Sequence, residues 1–240
     1  MAFSVIPALD LKGGKCVRLA QGDPARKTIE LEDPLGVAKR WERSGASRLH
    51  LVDLDGAIGG ERRNEPIVRE IIEALRIPVQ LGGGIRSVED AARFLEMGAA
   101  KVILGTLALA NPAALEELAS EYGPERLIVA LDSKGGEVVV RGWREGTGLK
   151  AAEAVKRFEG MAEEILYTNV DVEGLLRGID EGAIRAMVRA TRLGVLISGG
   201  VSTLEDVARV RAAGARGVII GSALYTGRVD FQAARRYESL

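Results

Sequence analysis

The chain has one cysteine, Cys16, and one histidine, His50, among its 240 residues. A lone cysteine excludes an intrachain disulfide and any cysteine-built zinc site. A lone histidine excludes every mechanism that needs two. Aromatic residues are 4% of the chain against 47% hydrophobic residues. The core must therefore be aliphatic, which suits parallel strands buried on both faces. No run of about 18 apolar residues occurs, so no membrane span is expected. The opening residues lack the basic and apolar regions of a secretory leader and read as a strand, which points to the cytoplasm. An excess of charge is missing too: 33 basic and 34 acidic residues leave a net charge of -1. That gives no footprint for a nucleic-acid partner.

What is present is an alternation of short aliphatic runs and longer amphipathic ones. Strands are predicted at Val5–Leu9, Arg48–Val52, Val79–Leu81, Lys101–Leu104, Leu127–Leu131, Glu164–Tyr167, Val195–Ile197 and Gly217–Ile220. Helical periodicity covers Pro34–Arg43, Pro66–Leu75, Val88–Met97, Pro112–Glu121, Ala151–Phe158, Ala183–Thr191 and Leu204–Ala212. Asp33-Pro34 and Asn111-Pro112 place a capping side chain before a proline at the first helical position. Eight strands alternating with helices predict an α/β fold, a single (β/α)8 TIM barrel over residues 1–240. An open doubly wound sheet fits less well, because no dinucleotide fingerprint follows the first strand.

The barrel carries an internal repeat. LGGGIRSVEDAARFLEMGAAKVILGT from Leu81 aligns without gaps to ISGGVSTLEDVARVRAAGARGVIIGS from Ile197. Gly83, Gly84, Gly98 and Gly105 match Gly199, Gly200, Gly214 and Gly221 at one constant offset. Shared strand-helix-strand architecture explains the apolar pattern but not the glycines together with the matched Glu-Asp pairs. Two homologous half-barrels follow.

In such a barrel the site lies where strands run into the loops that precede helices. Asp10 is expected to end the first strand and Asp132 the fifth, diametrically opposite each other. Either aspartate alone suits the capping of a turn equally well, but as a matched pair they suit acid and base catalysis on two sides of one substrate. Gly83 and Gly84 with Gly105 and Thr106 form one glycine-rich set, and Gly199 and Gly200 with Gly221 and Ser222 the other. Glycine lets backbone N–H groups approach phosphate oxygens. The doubling points to a small molecule with a phosphate at each end.

Thr168, Asn169 and Asp171 follow the sixth strand. Asp53 and Asp55 follow the second and are expected to hold loop backbone; no metal and no cofactor is expected. Arg18 and Arg86 lie near loops one and three, where they would meet anionic groups or solvent. Trp143 follows an extra strand-like stretch, Glu137–Arg141, and would stack on a flat ligand or pack in its loop. The polar segment Gln21–Thr28 is expected to close over the substrate. His50, inside RLHLV, reads as a satisfied buried histidine.

Several segments resemble a known family: PALDLKGGKCVRLAQGD at Pro7–Asp23, HLVDLDGA at His50–Ala57, GGGIRS at Gly82–Ser87, RGW at Arg141–Trp143 and SGGVS at Ser198–Ser202. They look like the isomerase family of histidine biosynthesis, over essentially the whole chain. The resemblance implies an Amadori rearrangement of a bisphosphorylated aminoaldose to an aminoketose. It implies Asp10 as base, Asp132 as acid and Thr168 as assistant, in a chain expected to act as a monomer. The family's usual T-D-I-D-R-D-G-T after the sixth strand is here Thr168-Asn169-Val170-Asp171-Val172-Glu173-Gly174-Leu175, which leaves that loop's role open. A sister cyclase, an isomerase that also accepts phosphoribosylanthranilate and a non-catalytic phosphosugar-binding barrel are the alternatives. Ala8, Val17-Arg18-Leu19 and Arg141-Gly142-Trp143 speak against the cyclase. Two opposed aspartates speak against mere anion binding, which gains nothing from carboxylates.

Overall fold

The computed structural model describes residues 3–239. Its strands are β1 (Ser4–Lys12), β2 (Lys15–Leu19), β3 (Lys27–Leu31), β4 (Leu49–Asp53), β5 (Val79–Gly82), β6 (Lys101–Leu104), β7 (Leu127–Lys134), β8 (Glu137–Val140), β9 (Glu145–Lys150), β10 (Glu164–Asn169), β11 (Gly194–Ser198) and β12 (Gly217–Ile220). Eight of them, β1, β4, β5, β6, β7, β10, β11 and β12, pair in parallel in that order. The β12–β1 pair closes the ring. All eight strands expected from the sequence are present, and the chain folds as a (β/α)8 barrel. Four steps around the ring separate β1 from β7, so the two face each other.

Helices return the chain between strands, and local chemistry starts them where expected. Asp33 accepts the Gly36 N–H and Asn111 accepts the Ala114 N–H. Thr203 and Asp206 form a reciprocal capping box. The helices Pro34–Arg43 and Leu204–Ala212 match their predicted bounds. Ala151–Phe158 is less regular: only Ala151–Ala154 is α-helical, and Val155–Phe158 tightens to 3-10 geometry. No helix among the described residues is long and apolar enough to cross a membrane.

Period-two alternation divides each strand between two cores. On β1, Val5, Leu9 and Leu11 face the helices, in a shell with Val37, Trp41 and Ile71. Ile6 and Ala8 face the barrel interior with Ile103, Ile128, Leu166, Leu196 and Ile219. Continued upward, the same alternation aims Asp10, Asp132 and Thr168 into the mouth. At the opposite end the floor is ionic. Glu164 receives Arg48 and Lys101, each at 2.7 Å, and Arg216 reaches the adjacent Glu163 at 3.0 Å. Burial alone would raise the Glu164 pKa, but Arg48 and Lys101 hold it below the usual range. His50, on β4, is buried among these layers with Nδ1 2.9 Å from the Gln80 amide. Burial and two nearby arginines push its pKa down to about 3.

The structure corrects the expected edges of the first and fifth strands. Neither ends at its aspartate: β1 runs on to Lys12 and β7 to Lys134. Each then folds back on itself, so that Asp10 pairs with Val17 on β2 and Asp132 with Val139 on β8. The segment expected as the polar loop Gln21–Thr28 is partly strand, because Lys27–Leu31 pairs with β2. The Glu137–Arg141 stretch is strand only to Val140, and its partner β9 lies further along the chain.

Candidate active site

Arg18 on β2 is the hub of the mouth. Its guanidinium is 5% exposed and spans two carboxylates, Asp10 at 2.6 Å and Glu173 at 3.0 Å. Arg18 reaches them because β2 turns back antiparallel over the top of β1. Glu173 lies in the turn after β10, which the Gln21 N–H anchors by donating to the Glu173 carbonyl at 3.0 Å. The first and sixth loops are thus tied together over the barrel.

Across the mouth, Asp132 accepts the indole N–H of Trp143 at 2.8 Å. Thr168 stands directly beside it, because β7 and β10 pair Asp132 with Thr168, and like the indole it lowers the Asp132 pKa. Among the described residues no cation pairs with Asp132. Burial raises the pKa of Asp10, Asp132 and Glu173 alike. Arg18 offsets part of that rise for Asp10 and Glu173, which both stay above the usual carboxylate range, whereas the groups that lower Asp132 are the neutral Trp143 and Thr168. Three largely buried carboxylates share one guanidinium, so full ionisation would leave a net charge of about -2 in a low-dielectric pocket. Such a set keeps a proton, and Asp132, lacking a cation, is its favoured holder.

The half-barrel symmetry extends to the glycine turns. Gly83 and Gly199 take φ of +100° and +91°, a region L-residues avoid. A Cβ on Gly199 would lie 2.5 Å from the Asn169 carbonyl, and one on Gly83 would collide with the Asp53 carbonyl. Gly105 and Gly221 share an unusual backbone, φ -100° and -106°, immediately before the short helices Thr106–Ala110 and Ser222–Tyr225. Gly199, Gly200, Gly221 and Ser222 line one narrow crevice together with Glu173. The Arg18 guanidinium packs against Gly221, where any side chain would displace it. In the other half, the Thr106 hydroxyl accepts the Arg141 N–H at 3.0 Å, so the fifth-strand loop leans on that set.

The remaining residues fall into supporting positions. Asp53 accepts the N–H groups of Asp55 and Gly56 and the Asn64 amide. Asp55 accepts the Gly13 N–H. Asp171 accepts the Gly135 N–H, joining the fifth and sixth loops. Arg86 donates to the Gly56 carbonyl at 3.3 Å, on the turn that packs against Gly83 and Gly84. Trp143 packs against Gly22 and does not stand free. No group of three or more His, Cys, Asp or Glu among the described residues is arranged to hold a metal. Glu173 was noted from the sequence only as a loop departure. Its signal was an acid five residues beyond Thr168, and its importance emerges only from the pairing with Arg18.

Comparison with known proteins fits this geometry. The chain is 50% identical over 237 residues to the 1-(5-phosphoribosyl)-5-((5-phosphoribosylamino)methylideneamino)imidazole-4-carboxamide isomerase of Methanothermobacter thermautotrophicus, covering 98% of this chain and 99% of that protein. It is 49% identical over 238 residues to the isomerase of the same name from Methanosarcina acetivorans, covering 98% and 97%. The Methanosphaera stadtmanae isomerase is 49% identical over 235 residues, covering 98% and 99%. The model describing histidine biosynthesis proteins matches residues 4–230, and the chain belongs to that family.

Proposed function

We propose that this chain catalyses the Amadori rearrangement of a bisphosphorylated aminoaldose, the imidazole-4-carboxamide named for its relatives, to the corresponding aminoketose. The observation that carries the reading is the unequal environment of two opposed carboxylates, Asp10 on Arg18 and Asp132 on neutral donors only. Asp132 donates its proton to the ribose ring oxygen. The C1′–O bond breaks, and the nitrogen lone pair forms an imine at C1′. Asp10 removes the proton from C2′, and the electron pair shifts through C1′ to the imine nitrogen. The resulting enaminol loses its C2′ hydroxyl proton as C1′ gains one, giving the ketone. Thr168 orients Asp132, and Arg18 keeps Asp10 ionised. The imine is the electron sink, so the chemistry calls for no cofactor.

The two glycine sets supply the ends. Gly199, Gly200, Gly221 and Ser222 hold one phosphate beside Arg18, and Gly83, Gly84, Gly105 and Thr106 hold the other. Binding there requires the Arg141 N–H to release Thr106 and the Trp143 indole to release Asp132. The same reading has one barrel working alone on a diffusible substrate. The test is a spectrophotometric assay of the purified protein with the aminoaldose, with and without coupled cyclase. Turnover of the aminoaldose without cyclase supports the proposal. No turnover by folded protein overturns it.

A further inference from the structure

Outside Trp143 the loops enclose a second cavity, a cleft of about 320 Å³. Gly22, Asp23 and Arg26 of the first loop form one wall, and Lys134, Trp143 and Arg144 of the fifth form the other. Trp143 is the partition: one side faces this cleft, and its N–H reaches Asp132. Among the described residues, Arg26, Lys134 and Arg144 form no ion pair with a carboxylate. Arg26 touches only the neutral Gln21 side chain, at 3.3 Å. Asp23 is the one acid in the lining, and its Oδ1 already accepts the Ala25 N–H. Three cations without an ion pair line one concave space in a chain whose net charge is -1, which makes a locally positive field.

We propose that this cleft is an outer anion subsite, the first docking point for one phosphate of the bisphosphorylated substrate before Trp143 leaves Asp132. The proposal rests on the reading of the site as a bisphosphate isomerase. A phosphate seated between Arg26, Lys134 and Arg144 lies against the indole that blocks the acid, so capture and opening of the mouth occur at one place. The three cations are exposed, Lys134 at the end of β7 and the other two on loops, and take no part in the proton transfers.

The experiment compares wild type with Arg26→Gln/Lys134→Gln/Arg144→Gln and with the charge-conserving Arg26→Lys/Lys134→Arg/Arg144→Lys. The readout is isomerase kcat and KM for the aminoaldose from low to high ionic strength, with thermal melting as the check on folding. The neutral triple variant should lose about tenfold in kcat/KM at low salt, the lower end of what electrostatic steering supplies. Its kcat should stay within about twofold and its salt dependence should flatten, because the screened charges are gone. The charge-conserving variant should behave as wild type. Unchanged kcat/KM and salt slope in the neutral variant overturn the proposal, as does a loss confined to kcat or an equal loss in the charge-conserving variant. Absence of isomerisation by the wild type overturns instead the reading on which the subsite rests.

Discussion

The Trp143 indole donates its N–H to the Asp132 carboxylate at 2.8 Å from a left-handed backbone, φ +67°. Arg141 and Gly142 before it are left-handed as well, at +54° and +66°. Two non-glycine residues in this region cost on the order of 1–3 kcal/mol each. The loop is held there by two bonds, Trp143 to Asp132 and Arg141 N–H to Thr106. Both acceptors belong to the proposed substrate-binding machinery, so substrate competes with the loop for its own anchors.

Trp143→Phe keeps a ring and removes the donor. The Trp143 bond lowers the Asp132 pKa, so its loss raises it. In the proposed mechanism Asp132 acts protonated, so activity is lost as pH rises through its pKa. The alkaline limb of kcat/KM, which reports the free enzyme, should therefore move to higher pH by roughly half to one unit. An unmoved limb would separate Asp132 from the acid role. Trp143→Ala, with the ring gone, should also raise KM if the indole stacks on the imidazole carboxamide; an unchanged KM leaves Trp143 as loop packing.

Arg18→Met strands Asp10 and Glu173 without their cation. Arg18 lowers the Asp10 pKa against burial, so the variant raises it. Asp10 acts ionised, and activity is lost as pH falls through its pKa; the acid limb of kcat/KM should move to higher pH. Breaking a buried pair commonly costs about 3–5 kcal/mol. Protonation of the stranded carboxylates offsets part of this, so the melting-temperature deficit should shrink below neutral pH. A deficit that grows on acidification contradicts the assignment.

Asp10→Asn and Asp132→Asn should each lower kcat at least about a hundredfold, the low end for general acid or base assistance, with KM changing far less. The double variant should fall short of the product of the single losses, because removing either carboxylate already disables the proton sequence. Near wild-type kcat in a folded single variant removes that residue from the mechanism.

The glycine sets predict two anions. Crystals soaked in sulfate should show one near Gly199–Gly200 and Gly221–Ser222 and another near Gly83–Gly84 and Gly105–Thr106, on opposite sides of the mouth. Gly200→Ala should abolish the first selectively, because a Cβ there would strike the Gly178 carbonyl. Density at neither set removes the bisphosphate argument.

The barrel was legible because its strands are aliphatic runs whose side chains are buried on both faces, and because Asp33, Asn111 and Thr203 write helix starts in local chemistry. Asp10 and Asp132 were legible through the half-barrel repeat and their place beyond an aliphatic run. Of the hairpin strands, Glu137–Val140 was legible as an extra strand-like stretch, whereas β2, β3 and β9 were not. Glu145–Lys150 reads EGTGLK, with two glycines and no apolar face, and becomes a strand only by pairing with β8. The extensions of β1 and β7 likewise exist because β2 and β8 return to pair with them. Arg18 and Glu173 are 155 residues apart, and no local pattern announces that they meet. The contact of Arg86 with the Gly56 carbonyl was not legible for a related reason: place in the sequence does not set where a long side chain points.

The ionic floor has a consequence for how the enzyme resets. Below the mouth lie a plug of aliphatic side chains, then Glu164 clamped by Arg48 and Lys101, with His50 held neutral between. Among the described residues, the aliphatic layer places no titratable side chain between the mouth and the floor. In the mechanism proposed above, Asp132 would then regain its proton and Asp10 would lose its own through the upper opening, the same opening that substrate would occupy. Solvent exchange at the reacting carbons would be confined to the intervals when that opening is uncovered.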